Sequence, residues 1–271
     1  MELYASSEEL FRLESIYPSL SDQEKLNTLL SITWHIRQRD CQRALFQVDE
    51  LEQLLAQYDG AMAKRITNEH EIRTRLNLIR AEIYAMLGDI SYAELLLKQS
   101  KFELASQNDL LGLGDASIVD ATIAISIGDN HREIEACRQA LDLYQRCGDK
   151  ERSEFAEAWL IYANAFTEPE AAISEVEQFL KHARYANKPA ISTHINAAEG
   201  VIYGRREPSR GARAYLRSSA HAKQAGLIRL AIISSGNACE VFQNISDLES
   251  ASQAIEFSIG LAKQAGWPAL M

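Results

Sequence analysis

Ala222-Lys223-Gln224-Ala225-Gly226 returns verbatim as Ala262-Lys263-Gln264-Ala265-Gly266, 40 residues later. Self-similarity at a fixed step of a few tens of residues marks a solenoid, in which each unit buries its apolar face only by stacking on its neighbours. Working outward from that pair, small residues recur in one frame at Ala93, Ala172, Ala212 and Ala251, with Ala44 ahead of them and Glu133 as the misfit. Twelve residues before each stand Ile32, Ala81, Ala121, Leu160, Gly200 and Cys239. Three further on stand His35, Tyr84, Ala124, Ala163, Tyr203 and Phe242. The offsets have a physical reason: antiparallel helices approach to about 8–10 Å only where the crossing residues are small.

Helix stops and restarts fall between these positions. Gly88-Asp89, Gly128-Asp129, Glu168-Pro169, Glu207-Pro208 and Ser246-Asp247 combine a C-terminal stop with an Asp N-cap or a Pro at the first helical position. Pro18, Pro169, Pro189, Pro208 and Pro268 all fall at such junctions, and none interrupts a predicted helix. Ser6 or Ser7 before Glu8 and Glu9 reads as a cap, and Ser21-Asp22-Gln23-Glu24 as a capping box. Leu26, Leu29, Leu30, Thr33 and Ile36 then share one helical face, and Gly60 closes the first hairpin. The pattern predicts an all-α chain with no strand: an N-terminal helix and about six helical hairpins. The units span about 25–60, 69–108, 114–148, 151–188, 190–226 and 228–266 of a single repeat domain over 1–271.

Composition narrows the function classes. Apolar residues make up 46% and charged residues 24% of the chain, with a net charge of −10. That balance argues against a nucleic-acid footprint, which needs Lys and Arg in surplus along one face. Cys41, Cys137, Cys147 and Cys239 are dispersed, with no C-x-x-C pair, as expected of reduced, individually buried thiols. The N-terminus is acidic where a secretory signal would be basic, and no apolar run approaches the roughly 20 residues that cross a bilayer. These features predict a cytoplasmic protein with no membrane contact.

The pattern of a small residue, an aromatic at +3, Gly-Asp at +7 and Ala at +12, clearest as Ala81, Tyr84, Gly88-Asp89 and Ala93, resembles the tetratricopeptide repeat. The resemblance covers about residues 25–265. It implies a right-handed α-α superhelix, here in a long-repeat form similar to those of bacterial signalling and transcription regulators. It also implies a concave groove lined by the first helix of each hairpin, which binds a protein or peptide. The family's register turns Arg75, Glu82, Glu154, Glu157, Asn164, His194, Arg205, Asn237, Glu240 and Asn244 toward that groove. The Lys/Asn set by which some members clamp a chaperone's C-terminal carboxylate is not reproduced: the matching positions hold Leu29, Leu78, Ile118, Glu157, Ala197 and Gly236. The junction running from Ala262 through Gly266-Trp267-Pro268 looks like the helical segments that precede diguanylate cyclase domains, and Gly266 to Met271 reads as the start of a further helix. A further repeat or an output domain beyond Met271 is the expectation, and any cyclase activity would lie there, because the Gly-Gly-Asp-Glu-Phe motif is absent.

No catalytic signature is present: no G-x-x-x-x-G-K-[ST], H-E-x-x-H or G-x-S-x-G. Leu111-Gly112-Leu113-Gly114-Asp115 has G-x-G spacing but follows no strand, so it reads as a loop between repeats. His35, His70, His131, His182, His194 and His221 share no i, i+3 or i+4 relation, which predicts solvated or half-buried imidazoles and no metal site. Arg210, Arg213 and Arg217 fall on one helical face and form a candidate anion patch, weighed against a solvated face paired with acidic neighbours. Trp34, Trp159 and Trp267 read as core or cap residues. The resulting expectation is a non-catalytic, cofactor-free module that binds a protein or peptide and regulates a bacterial signalling protein. The alternatives are a homo-oligomerisation scaffold and the regulatory arm of a diguanylate cyclase.

Overall fold

A computed structural model describes residues 2–61, 69–181 and 188–266. Among them the chain is helical throughout, with no strand. A lone helix α1 (Ser7–Ile16) and a 3-10 turn at Tyr17–Ser19 precede six antiparallel pairs. The pairs are α2 (Asp22–Ile36) with α3 (Cys41–Ala61), α4 (Glu69–Leu87) with α5 (Ile90–Ser106), and α6 (Leu110–Ile127) with α7 (Asn130–Cys147). They continue with α8 (Lys150–Thr167) and α9 (Pro169–Lys181), α10 (Pro189–Tyr203) and α11 (Pro208–Ala225), and α12 (Ile228–Asn244) and α13 (Leu248–Ala265). Most helices pack chiefly on their neighbours in sequence, and α8 also packs on α10, so the fold is an α-helical repeat superhelix.

The junction chemistry explains the even spacing. Asp89, Asp109, Asp129, Asp149 and Asp247 each stand at an N-cap and accept the amide of the third residue on, for example Gly112 N at 2.8 Å and Arg132 N at 2.9 Å. Each such cap contributes about 1 kcal/mol. Gly128 shows why glycine precedes the cap: its φ of 72° is left-handed, and its amide reaches back to close the end of α6. Pro169, Pro189 and Pro208 open α9, α10 and α11, where no amide is needed. Ser6 caps α1 through Glu9 N at 3.1 Å, and Ser21 and Glu24 form the capping pair of α2.

Small residues sit where the helices cross. Ala81 and Ala93 are both fully buried, and the Glu133 misfit is buried at the same position of its own unit. In the fifth unit the approach is close: a Cβ on Gly211 would lie 2.5 Å from the Gly204 backbone, and one on Gly200 would lie 2.5 Å from the Tyr215 ring.

Three readings need correction. Leu111 to Asp115 is not a loop but the first turns of α6, because Asp109 caps that helix one residue earlier. Its glycines serve packing: a Cβ on Gly114 would stand 2.4 Å from the Tyr144 ring. The third unit accordingly begins near residue 110 rather than 114. Cys147 is exposed at the end of α7, whereas Cys41, Cys137 and Cys239 are buried. Finally, α6 is an 18-residue helix with mean hydropathy 1.6, close to spanning length. Its apolarity has an internal explanation, since α4, α5 and α7 cover it and most of it is buried. Trp267 and Pro268, which carry the cyclase-like junction, lie outside the described residues.

The winding is tight enough to bring distant units together. Arg229, on α12, donates through Nη1 to the Thr122 carbonyl (3.0 Å) and to Ser126 Oγ (2.8 Å), both on α6 three units earlier. A Cβ on Gly226 would meet the Arg39 guanidinium at 2.5 Å, and Gly266 lies beside the Gln42 side chain. The first and last hairpins therefore touch, and the first helices converge on a common interior.

Candidate functional site

That interior is filled with paired charge. Arg37, fully buried at the end of α2, donates through Nε to Glu82 Oε2 at 2.5 Å, and Gln38 Nε2 donates to Glu82 Oε1 at 2.5 Å. The Arg37 guanidinium also lies over the Trp34 ring, 3.9 Å from its centroid. A second knot surrounds Asp115 of α6, which accepts from Arg75, from Tyr144 Oη at 2.8 Å and from Arg152 Nε at 3.1 Å. Burial and the Asp115 carboxylate together hold the Tyr144 phenol well above its usual range. Each knot joins helices of different units, so its charges act as crosslinks along the superhelix.

An aromatic cluster lies next to them. His194 stacks on Trp159 with ring centroids 5.0 Å apart, and Phe155 meets both rings edge-on. Burial lowers the His194 imidazole to about 4 and that of His35 to about 3, so both stay neutral at pH 7. Trp159 Nε1 donates to Glu133 Oε1 at 2.8 Å. Glu133 therefore breaks the small-residue frame because it satisfies a buried indole.

Of the residues expected to face a groove, Arg75, Glu82 and His194 are buried in this interior and present nothing to solvent. Glu154 is buried beside them, with Lys188 at 2.8 Å. They lie on first helices of the pairs, whose inner face the tight winding makes a core. Glu157 is exposed and Asn164 half-buried on α8, apart from the rest. The remaining four converge. Arg205, Asn237, Glu240 and Asn244 line one cleft of about 520 Å³ between the C-terminal ends of α8, α10 and α12, floored by Val201, Ile202 and Val241. Arg205, Glu240 and Asn244 are exposed, and Asn237 is half-buried beside the Tyr215 hydroxyl.

No protein-family model and no curated protein matches this chain. The chemistry of the site is therefore read from its residues alone. Among the described residues no group of His, Cys, Asp or Glu side chains is arranged to hold a metal ion.

The anion patch also needs correction. Arg210 Nε bonds Glu199 Oε1 at 2.9 Å, and Arg217 bonds Glu199 Oε2 at 2.6 Å and Asn196 at 2.8 Å. Arg210 also lies over the Tyr203 ring, 3.5 Å from its centroid. One carboxylate thus engages two of the three guanidinium groups. Arg213 and Arg217 are exposed and Arg210 is half-buried, so of the three only Arg213 has no ion pair with Glu199.

Arg37, Asp115, Tyr144 and Arg152 were missed as site residues. A signal existed for two of them: Arg37 continues the apolar face of Leu26, Leu30 and Thr33, and Asp115 is an acid in an otherwise apolar first half of α6.

Glu133 gives a pH-dependent prediction. Burial pushes its carboxyl up to about 7, against the hydrogen bond from Trp159. The folded protein then keeps a proton that the unfolded chain loses between the ordinary carboxylate range and about 7, so stability falls as pH rises through that window. Glu133→Gln keeps an acceptor for Trp159 and removes the titration. Urea unfolding should show little difference from the parent at pH 5 and a gain of roughly 2 kcal/mol at pH 8. An equal difference at both pH values would assign the effect to packing instead.

Proposed function

We propose that this chain is a non-catalytic helical-repeat module that binds a protein or peptide. The observation that carries the reading is the cleft of Arg205, Asn237, Glu240 and Asn244. Carboxamides offer both donors and acceptors to a peptide backbone, a guanidinium and a carboxylate add register, and an apolar floor receives side chains. The reading sets the module in the cytoplasm, where the exposed Cys147 would stay reduced, and as a regulatory part of a signalling protein, as the tetratricopeptide resemblance implies.

The test is selection of a random peptide library displayed on phage against the protein. The control is a variant carrying Asn237→Ala, Glu240→Lys and Asn244→Ala, all outside the core. Sequences enriched on the parent and lost on the variant support the reading. No enrichment, or enrichment unaffected by the variant, contradicts it.

A homo-oligomerisation scaffold is the second reading. It is favoured by Tyr92, Leu95 and Phe102, exposed at helical spacing along one side of α5. Light scattering decides this one, because a strict monomer at high concentration removes it.

A further inference from the structure

The mouth of the interior, at the N-terminal ends of α8 and α10, is occupied by the chain itself. Residues 2–6 form no helix and run inward before α1 begins. Trp34 Nε1 donates to the Leu3 carbonyl at 2.9 Å, and Arg39 Nη2 donates to the Ala5 carbonyl at 2.7 Å. These bonds read the backbone of the segment and not its sequence. Leu3 and Ala5 are buried, and the Tyr4 ring lies between Phe155 (centroids 5.3 Å apart) and the Arg37 guanidinium (5.0 Å).

The seat fits its occupant incompletely. Buried polar atoms without a hydrogen-bond partner lie beside it: His35 Nδ1 and Arg39 Nε. Native interiors rarely leave such atoms unpaired, because each forfeits the hydrogen bonds it had in water. A cavity of about 230 Å³ also remains beside the segment, lined by Tyr4, Arg152, Phe155, Lys188 and Gln224 among others. Backbone-directed donors, an aromatic slot, unpaired donors and unfilled space together describe a peptide site with a provisional ligand.

We infer that residues 2–6 are a displaceable plug in a second peptide site. The true occupant is a non-helical segment of a partner protein that carries an aromatic residue in the Tyr4 slot and an added acceptor for Arg39 Nε. The inference shares the peptide-binding reading in kind but concerns a different site, at the opposite ends of α8 and α10 from the Asn237 cleft. A ligand held in cis lowers the apparent affinity for any competitor by the fraction of molecules in which the seat is empty. Loosening the plug must therefore strengthen binding in trans.

The probe is a fluorescein-labelled peptide of residues 2–7, Glu-Leu-Tyr-Ala-Ser-Ser, titrated by fluorescence anisotropy. The full chain carrying Tyr4→Ala should bind it at least tenfold more tightly than the parent. The same peptide with alanine at its tyrosine should lose at least tenfold on that variant. Equal affinities for the two chains, or for the two peptides, overturn the inference whatever the Asn237 cleft does. A parent dimer that Tyr4→Ala dissolves would mean that copies exchange this segment, which overturns the assignment to a foreign partner. Should Tyr4→Ala fail to fold, the parent alone still decides. Opening of residues 2–6 exposes the Trp34 indole N–H but not that of Trp159, so the first should exchange with deuterium at least tenfold faster. Equal exchange overturns the plug.

Discussion

Asp115→Ala should destabilise the protein by about 3–5 kcal/mol, the cost of removing one partner from a buried ion pair. The carboxylate is almost fully buried and accepts from Arg75, Arg152 and Tyr144, so its loss takes the acceptor from the Tyr144 phenol, leaves Arg75 only a 4.0 Å approach to Asp109 and leaves Arg152 with Asp149. The damage should be regional, because α4, α6, α7 and α8 meet at this point and a solenoid transmits strain chiefly between neighbours. Hydrogen exchange should show protection lost in those four helices first, with α11 to α13 retaining theirs. Uniform loss across all helices, or a change within 1 kcal/mol, would mean that the knot is not what holds the middle units together.

Glu82→Ala should cost a similar amount, about 3–5 kcal/mol, because Arg37 and Gln38 both donate to this carboxylate in a site with no access to water. Its diagnostic partner is the double change Arg37→Met with Glu82→Met. Two buried charges gain less from each other than they lose in leaving water, so an apolar replacement of similar volume is commonly neutral or stabilising. The double variant should recover most of the stability lost by Glu82→Ala, as read by urea denaturation. A double variant as unstable as the single one would place the worth of Arg37 in its contacts with Trp34 and Tyr4 instead.

The repeat was legible because its signals are local. An Asp cap, a Pro at the first helical position and an Ala at a helix crossing act within one or two turns, and α2 to α13 begin and end close to where those residues stand. The glycines of α6 misled because a glycine can serve a turn or a close approach, and only the Tyr144 ring, 30 residues on, shows which. The inner face is a different case. Glu82 and His194 stand on first helices of their pairs, α4 and α10, but whether that face meets water depends on the rotation at every junction summed along the array. No single residue encodes that sum. The Arg205 to Asn244 cleft survives as a surface because it lies at the far ends of these helices, away from the closure. Residues 2–6 carried no periodic signal, so their seat could be found only in three dimensions.

The central claim is that the superhelix closes on itself, so that the sixth unit touches the third. The most direct measurement is a double-mutant cycle between Arg229→Met and Ser126→Ala, using unfolding free energies. Contact across 103 residues, with Arg229 Nη1 at 2.8 Å from Ser126 Oγ, should give a coupling of about 1 kcal/mol or more. Strict additivity would contradict the account, for in an open solenoid these two residues never meet.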